Sequence, residues 1–389
     1  MAARSTIYLD HAATTPVDPV VLEAMLPYFT EHFGNASSVY RLGREARRAL
    51  DRSREQVAGV LHCRPAEVIF TSGGSEGDNT AIKGVLFARG ARGRHVVTSA
   101  IEHEAVLHTC EALQPLGVET TLVPVDQWGQ VDPREVARAI RPDTALVSIM
   151  LANNEIGTIQ PVAEIAAVAH QHGIPVHTDA VQAAGALPLD VDTLGVDLLS
   201  LSGHKFYGPK GTGVLYVRSG IAWTPQQHGG SQEAKRRAGT ENVAGAVGLA
   251  TALTRAESRR EAEAVALRML RDRLISHILE LVPNSRLTGH PTNRLPNNAS
   301  FVFSGTEGEA ILMALDVQRI AASTGSACTS ASLDPSHVLL ALGLPAPLAI
   351  GSLRLTLGRN NSEADVERVG DILPVVIQRL RAMQSLASA

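Results

Sequence analysis

The sequence predicts an α/β protein, with a large unit on a mostly parallel seven-stranded sheet and a smaller α+β unit after it. Three observations predict it. Short β-branched runs alternate with amphipathic helical stretches through the first part of the chain, a pattern that implies a parallel sheet covered on both faces. A charged stretch from about Glu257 to Leu281 reads as one long helix leading out of that unit. The chain has 389 residues, more than one ordinary core accommodates. The expected division is 16–258 for the large unit, and 1–15 with 259–389 for the smaller one.

The strands expected in order are Val68–Thr71, His95–Thr98, Thr120–Pro124, Ala145–Met150, Pro175–Thr178, Leu198–Leu201 and Gly213–Val217. Helices are expected at Asn79–Ala88, Glu104–Leu113, Pro133–Ile140 and Val162–His172. Only SGHKFYGPKGT separates the last two strands. That is too short for a crossover helix, so one of the pair is expected to be antiparallel. The smaller unit should hold strand Ser300–Phe303, helix Gly308–Leu315, strand Arg319–Ser323, helix Pro335–Leu342, strand Ser352–Leu357 and a last helix over Ala364–Leu386.

Composition narrows the function. The net charge is −4 with no long run of either sign, which argues against direct nucleic-acid binding. Arg44, Arg47 and Arg48 sit at helical spacing beside Glu45 and Asp51 and read as a solvated face. The three cysteines, Cys63, Cys110 and Cys328, are far apart, so a disulfide framework or cysteine zinc site is not expected. No apolar run reaches a membrane span, and the N-terminus has no apolar stretch of a secretory signal. A cytoplasmic location is the resulting expectation.

In open α/β sheets ligands collect outside the carboxyl ends of the strands, and several polar residues fall there. Lys205 lies in a Gly-rich turn just past a strand, where a held lysine serves as a Schiff-base amine and proton shuttle; an ordinary solvated loop lysine is the alternative. Asp179 follows another strand end. A cofactor with a pyridinium nitrogen needs such a carboxylate, although a helix cap would also explain it. Gln182 is one turn further on.

Thr71–Glu76, TSGGSE, has glycines and hydroxyls where a helix starts, which makes an anion cradle at Gly74 and Ser75 or a plain N-cap. Ser202, His204 and Thr240 are further candidate phosphate donors. His103 could stack on a flat ring or be a surface histidine. Asn153 and Asn154 follow a further strand. Arg354, between apolar neighbours, needs either a substrate carboxylate or a structural acid. Cys328 lies among small residues, as an exposed nucleophile would, whereas Cys63 and Cys110 read as inert small hydrophobes.

Together the strings YLDHAATTP, TSGGSEGDN, EHEAVL, NNEIG, HTDAVQ, SGHKFYGPKG, RAGTEN, GSACTSASL and SLRLTLGR resemble, in order from about Tyr8 to Arg359, the cysteine desulfurases of the class V aminotransferase superfamily. The GSACTSASL segment is similar to the housekeeping iron–sulfur branch. The resemblance implies the fold of pyridoxal-phosphate transferases of aspartate aminotransferase type (fold type I), a homodimer and the cofactor pyridoxal 5'-phosphate. It implies that Lys205 carries the cofactor, Asp179 pairs with the ring nitrogen, Gln182 bonds the ring oxygen and His103 stacks on the ring. Gly74, Ser75, Ser202 and His204 would hold the phosphate, with Thr240 donated from the second subunit. Asn154 and Arg354 would orient the carboxylate of L-cysteine, and Cys328 would take the sulfur as a persulfide while alanine leaves. The acceptor would be an iron–sulfur scaffold or a sulfur-carrier protein. Ser75 stands where the family often has Thr, which keeps the hydroxyl. A selenocysteine lyase, another class V enzyme and a non-catalytic scaffold on the same fold are the competing readings.

Overall fold

The computed structural model describes residues 6–90, 93–325 and 334–387. Its strands are β1 (Ile7–Tyr8), β2 (Val68–Thr71), β3 (His95–Ser99), β4 (Glu119–Val123), β5 (Thr144–Ser148), β6 (Val176–Asp179), β7 (Leu198–Ser202), β8 (Gly213–Val217), β9 (Ser285–Leu287), β10 (Asn298–Phe303), β11 (Ile320–Ala321) and β12 (Ser352–Thr356). Seven of them form one sheet in the order β2-β8-β7-β6-β5-β3-β4. The pairs from β4 to β7 are parallel, and β8 runs antiparallel to both β7 and β2. The short link before β8 therefore acts as expected: it reverses the chain instead of crossing over. β3, β5, β6, β7 and β8 are buried along their whole length. Their residues are buried on both sides because helices cover both faces of the sheet.

A second core lies on β12-β10-β9, an antiparallel sheet, and on the parallel pair β1–β11. One helix, Val243–Leu281, joins the two cores; at ~1.5 Å per residue it is about 58 Å long. Leu249, Ala250 and Leu253 pack into the large-sheet core, and Leu274 and Ile278 into the second. It starts well before the expected Glu257, with Asn242 Oδ1 accepting from the Gly245 amide at 2.9 Å. The first turns, VAGAVGLATAL, are small and buried, so they lack the charged face that marks the rest.

Other differences have equally local causes. The helix expected from Asn79 begins at Gly74 and runs to Arg89. Its first turn carries two glycines and no apolar period. Those glycines let it approach the sheet: a Cβ on Gly74 would lie 2.6 Å from Val181, and one on Gly77 would lie 2.8 Å from Ser200. The strand expected at Arg319–Ser323 shrinks to Ile320–Ala321, because Arg319 adopts a left-handed turn at φ 61°. The helix expected from Pro335 begins at His337, capped by Ser336. Helix Arg41–Leu61 buries Ala46, Ala49, Leu50, Val57 and Leu61, and leaves Arg44, Arg47 and Arg48 on its exposed face.

Candidate active site

The carboxyl ends of β2, β3, β5, β6 and β7 open onto a cavity of about 340 Å³. Asp179 is the last residue of β6 and is buried. Its Oδ1 accepts from the Val181 amide at 2.9 Å. No helix follows Asp179 directly, so it is not a helix cap. Burial raises the pKa of its carboxyl, while the charges of His103 and Lys205 oppose that shift.

β7 ends at Ser202 and passes into a tight turn, Gly203–Lys205. The turn aims Lys205 into the cavity, where Nζ donates to the carbonyls of Ala12 at 2.5 Å and Ala13 at 2.8 Å. This is a held amine and not a solvated loop lysine. His204 Nδ1 lies 3.1 Å from Thr14 Oγ1. Burial, helped by Lys205 and Lys210, pushes its imidazole down to about 4, so it is neutral at neutral pH.

Gly74 and Ser75 form the first turn of their helix at the cavity wall, where amides have no intrahelical acceptor. His103 caps helix Glu104–Leu113, its Nδ1 accepting from the Ala105 amide at 3.1 Å. Gln182 donates to Ala12 O at 3.0 Å. The two asparagines separate by role. Asn153 is buried and holds the turn, accepting from the Glu155 and Ile156 amides, while Asn154 lines the cavity.

Arg354 of β12 forms the opposite wall. Nη2 donates to Asp10 Oδ1 at 2.8 Å and Nη1 to Asn154 O at 3.0 Å. Nε is buried without a hydrogen-bond partner. The structural acid considered from sequence therefore exists, and Asp10 takes only Nη2 of the guanidinium.

Ten of the expected residues, Gly74, Ser75, His103, Asn154, Asp179, Gln182, Ser202, His204, Lys205 and Arg354, line this one space. Thr240 does not; it is exposed on the segment before helix Val243–Leu281. Cys328 lies outside the described residues; Gly325, the last described residue before it, borders the cavity. Burial raises the thiol of Cys63 to about 12 and that of Cys110 to about 11, so neither is a nucleophile near neutral pH. Two residues escaped the sequence reading, Asp10 and the buried cavity residue Asp78. Asp10 stands in the quoted YLDHAATTP string, but its partner is 344 positions away.

Among the described residues no helix is long and apolar enough to cross a membrane, and no cluster of side chains could hold a metal ion. The family model for aminotransferase class V matches residues 7–369. A cysteine desulfurase IscS of Methanosarcina thermophila is 53% identical over 380 residues, covering 98% of this chain and 94% of that one. A solved NifS-like protein superposes with a TM-score of 0.89 at 36% identity, covering 98% of this chain and 100% of the other. A structure described as SspA in complex with cysteine gives 0.80 at 38% identity, covering 90% and 99%. The cavity and these likenesses agree: the chain belongs to the class V aminotransferase family.

Proposed function

We propose that this protein is a pyridoxal-phosphate-dependent cysteine desulfurase that converts L-cysteine to L-alanine and takes the sulfur as a persulfide on Cys328. The observation that carries the reading is the meeting of a held amine, Lys205, and a buried carboxyl, Asp179, with the Gly74–Ser75 helix start in one cavity. These groups suit the cofactor's aldehyde, ring nitrogen and phosphate respectively. Arg354, on the wall of the same cavity, offers a guanidinium to a substrate carboxylate.

When bound, pyridoxal phosphate supplies an electron sink conjugated to the substrate Cα. Lys205 would hold the cofactor by its aldehyde, and its amine would move the proton at the substrate Cα. Asp179 would pair with the ring nitrogen, His103 would stack on the ring and Gln182 would bond its oxygen. Ser75, Ser202, His204 and the Gly74 amide would hold the phosphate, joined by Thr240 from a second subunit. Asn154 and Arg354 orient the carboxylate. The Cys328 thiolate attacks the substrate sulfur: an S–S bond forms, the C–S bond breaks, its electrons stay on the carbon skeleton, and protonation releases alanine. The raised thiols of Cys63 and Cys110 support Cys328 as the acceptor.

We read the chain as a unit of 16–258 and a unit of 1–15 with 259–389, supported by the two separate cores that helix Val243–Leu281 joins. A homodimer is supported by the position of Thr240 outside its own cavity. A reducing, cytoplasmic setting is supported by the free thiols of Cys63 and Cys110. The resemblance of the Cys328 segment to the iron–sulfur branch supports an iron–sulfur scaffold or sulfur carrier as the next acceptor. The test is direct: purified protein should show the visible band of bound cofactor and release alanine from L-cysteine, and Lys205→Ala should lose both. A colourless wild-type protein that leaves cysteine intact after cofactor is supplied would overturn the reading.

A further inference from the structure

Asp78 lies one helical turn beyond Gly74 and Ser75, on the face that borders the cavity. It is 1% exposed, and its Oδ1 has no hydrogen-bond partner. Beside it sits a closed polar chain. His177 is fully buried, with Nδ1 2.8 Å from Ser148 Oγ and Nε2 3.0 Å from Ser200 Oγ. His177 Nε2 is also 3.6 Å from Asp78 Oδ1. That approach is not an ion pair: burial pushes the imidazole down to about 3, so it is neutral. His177 and Asp179 alternate by two along β6 and share one face of the strand. Ser200 is the register partner of Asp179 on β7.

Two buried carboxyls, Asp78 and Asp179, thus line one cavity. The charge of Asp179 opposes ionisation of Asp78, and two carboxyls coupled in this way titrate as a pair. The groups facing Asp78 decide which one keeps the proton. Asp179 has the Val181 amide and the charges of Lys205 and His103 in its favour. Asp78 has the Ser200 hydroxyl in its favour, and neutral His177 beside it; Asp179 and Glu102 act against its ionisation. From this arrangement we infer that Asp78 is a positioning residue for the cofactor site: it holds the shared proton as a neutral acid, so that Asp179 is the sole anion offered to the ring nitrogen. The inference rests on the proposed function and deepens it. Burial raises the pKa of the Asp78 carboxyl well above its ordinary value. The folded chain therefore binds a proton that the unfolded chain gives up as pH rises, and the folded form loses stability on going upward from the ordinary carboxylate range.

Asp78→Asn tests this, because an amide keeps the shape and cannot ionise. The full-length wild-type and variant proteins are compared, with and without cofactor, from about pH 5 to about pH 9. Pyridoxal phosphate affinity, read by titrating cofactor-free protein and following the bound visible band, should stay within about twofold of wild type. The melting temperature of the variant relative to wild type should rise steadily with pH. A loss of affinity of about tenfold or more would show that Asp78 acts as an anion and overturn the inference. So would a melting difference that does not change with pH, which is what a purely structural role gives. The melting arm needs no cofactor. It therefore reads Asp78 even if wild-type protein binds none, and that result would contradict the proposed function instead.

Discussion

The two walls of the cavity are built differently. One is made of strand ends and the first turn of a helix: Gly74, Ser75, His103, Asp179 and Lys205 each follow a strand of the large sheet. The other is made of the N-terminal segment and β12, which supply Asp10, the carbonyls of Ala12 and Ala13, Thr14 and Arg354. The first wall carries the chemistry. The second holds that chemistry in place: its backbone accepts from Lys205 and Gln182, and its threonine meets His204. Reactive groups thus come from rigid local motifs, while their orientation comes from contacts closed across more than 150 residues.

Substitutions on the two walls should therefore separate in kind. The largest effect is expected from Lys205→Ala, with alanine formation down by at least about 10³-fold and the visible band lost. Asp179→Asn removes the anion but not the shape, and turnover should fall about 10²-fold with cofactor still bound. On the second wall, Arg354→Ala should act on KM for cysteine by about tenfold to 10²-fold, the range of one lost charge-assisted hydrogen bond. Arg354→Lys should not restore it, because a point charge cannot replace the planar fork held by Asp10 and Asn154. Thr14→Ala removes one neutral contact to His204 and should weaken cofactor binding about fivefold or less. A Thr14→Ala effect as large as that of Asp179→Asn would erase the distinction between the walls.

The pH dependence of stability sharpens the same contrast. His177 is buried neutral, with its pKa lowered from 6.5 to about 3. Its unfolded form takes up a proton below 6.5, while the folded form does not until about 3. Stability is therefore lost as pH falls through that window. His177→Asn should flatten this acid limb in a melting curve measured against pH.

The first wall was legible in the sequence because each of its groups sits next to its own strand in a local pattern. SGHK and HTDAVQ place Lys205 and Asp179 without knowledge of anything distant. The strands were legible because short β-branched runs alternate with helical stretches, and five of the seven are buried throughout. The second wall was not legible in its contacts. That Lys205 is held by Ala12 and Ala13 involves two backbone carbonyls, which carry no residue signature. The pairing of Arg354 with Asp10 closes 344 positions of chain. Asp78 was hidden for another reason: an aspartate near a helix start ordinarily reads as favourable to the helix dipole, and only the fold shows it buried against His177.

The most direct measurement is a single turnover with L-cysteine in the absence of reductant, followed by mass analysis of peptides containing each of the three cysteines, with alanine measured in the same sample. The account predicts one added sulfur on the Cys328 peptide, none on those of Cys63 and Cys110, and alanine in equal amount. Alanine formed without sulfur on Cys328, or with sulfur on Cys63 or Cys110, would contradict it.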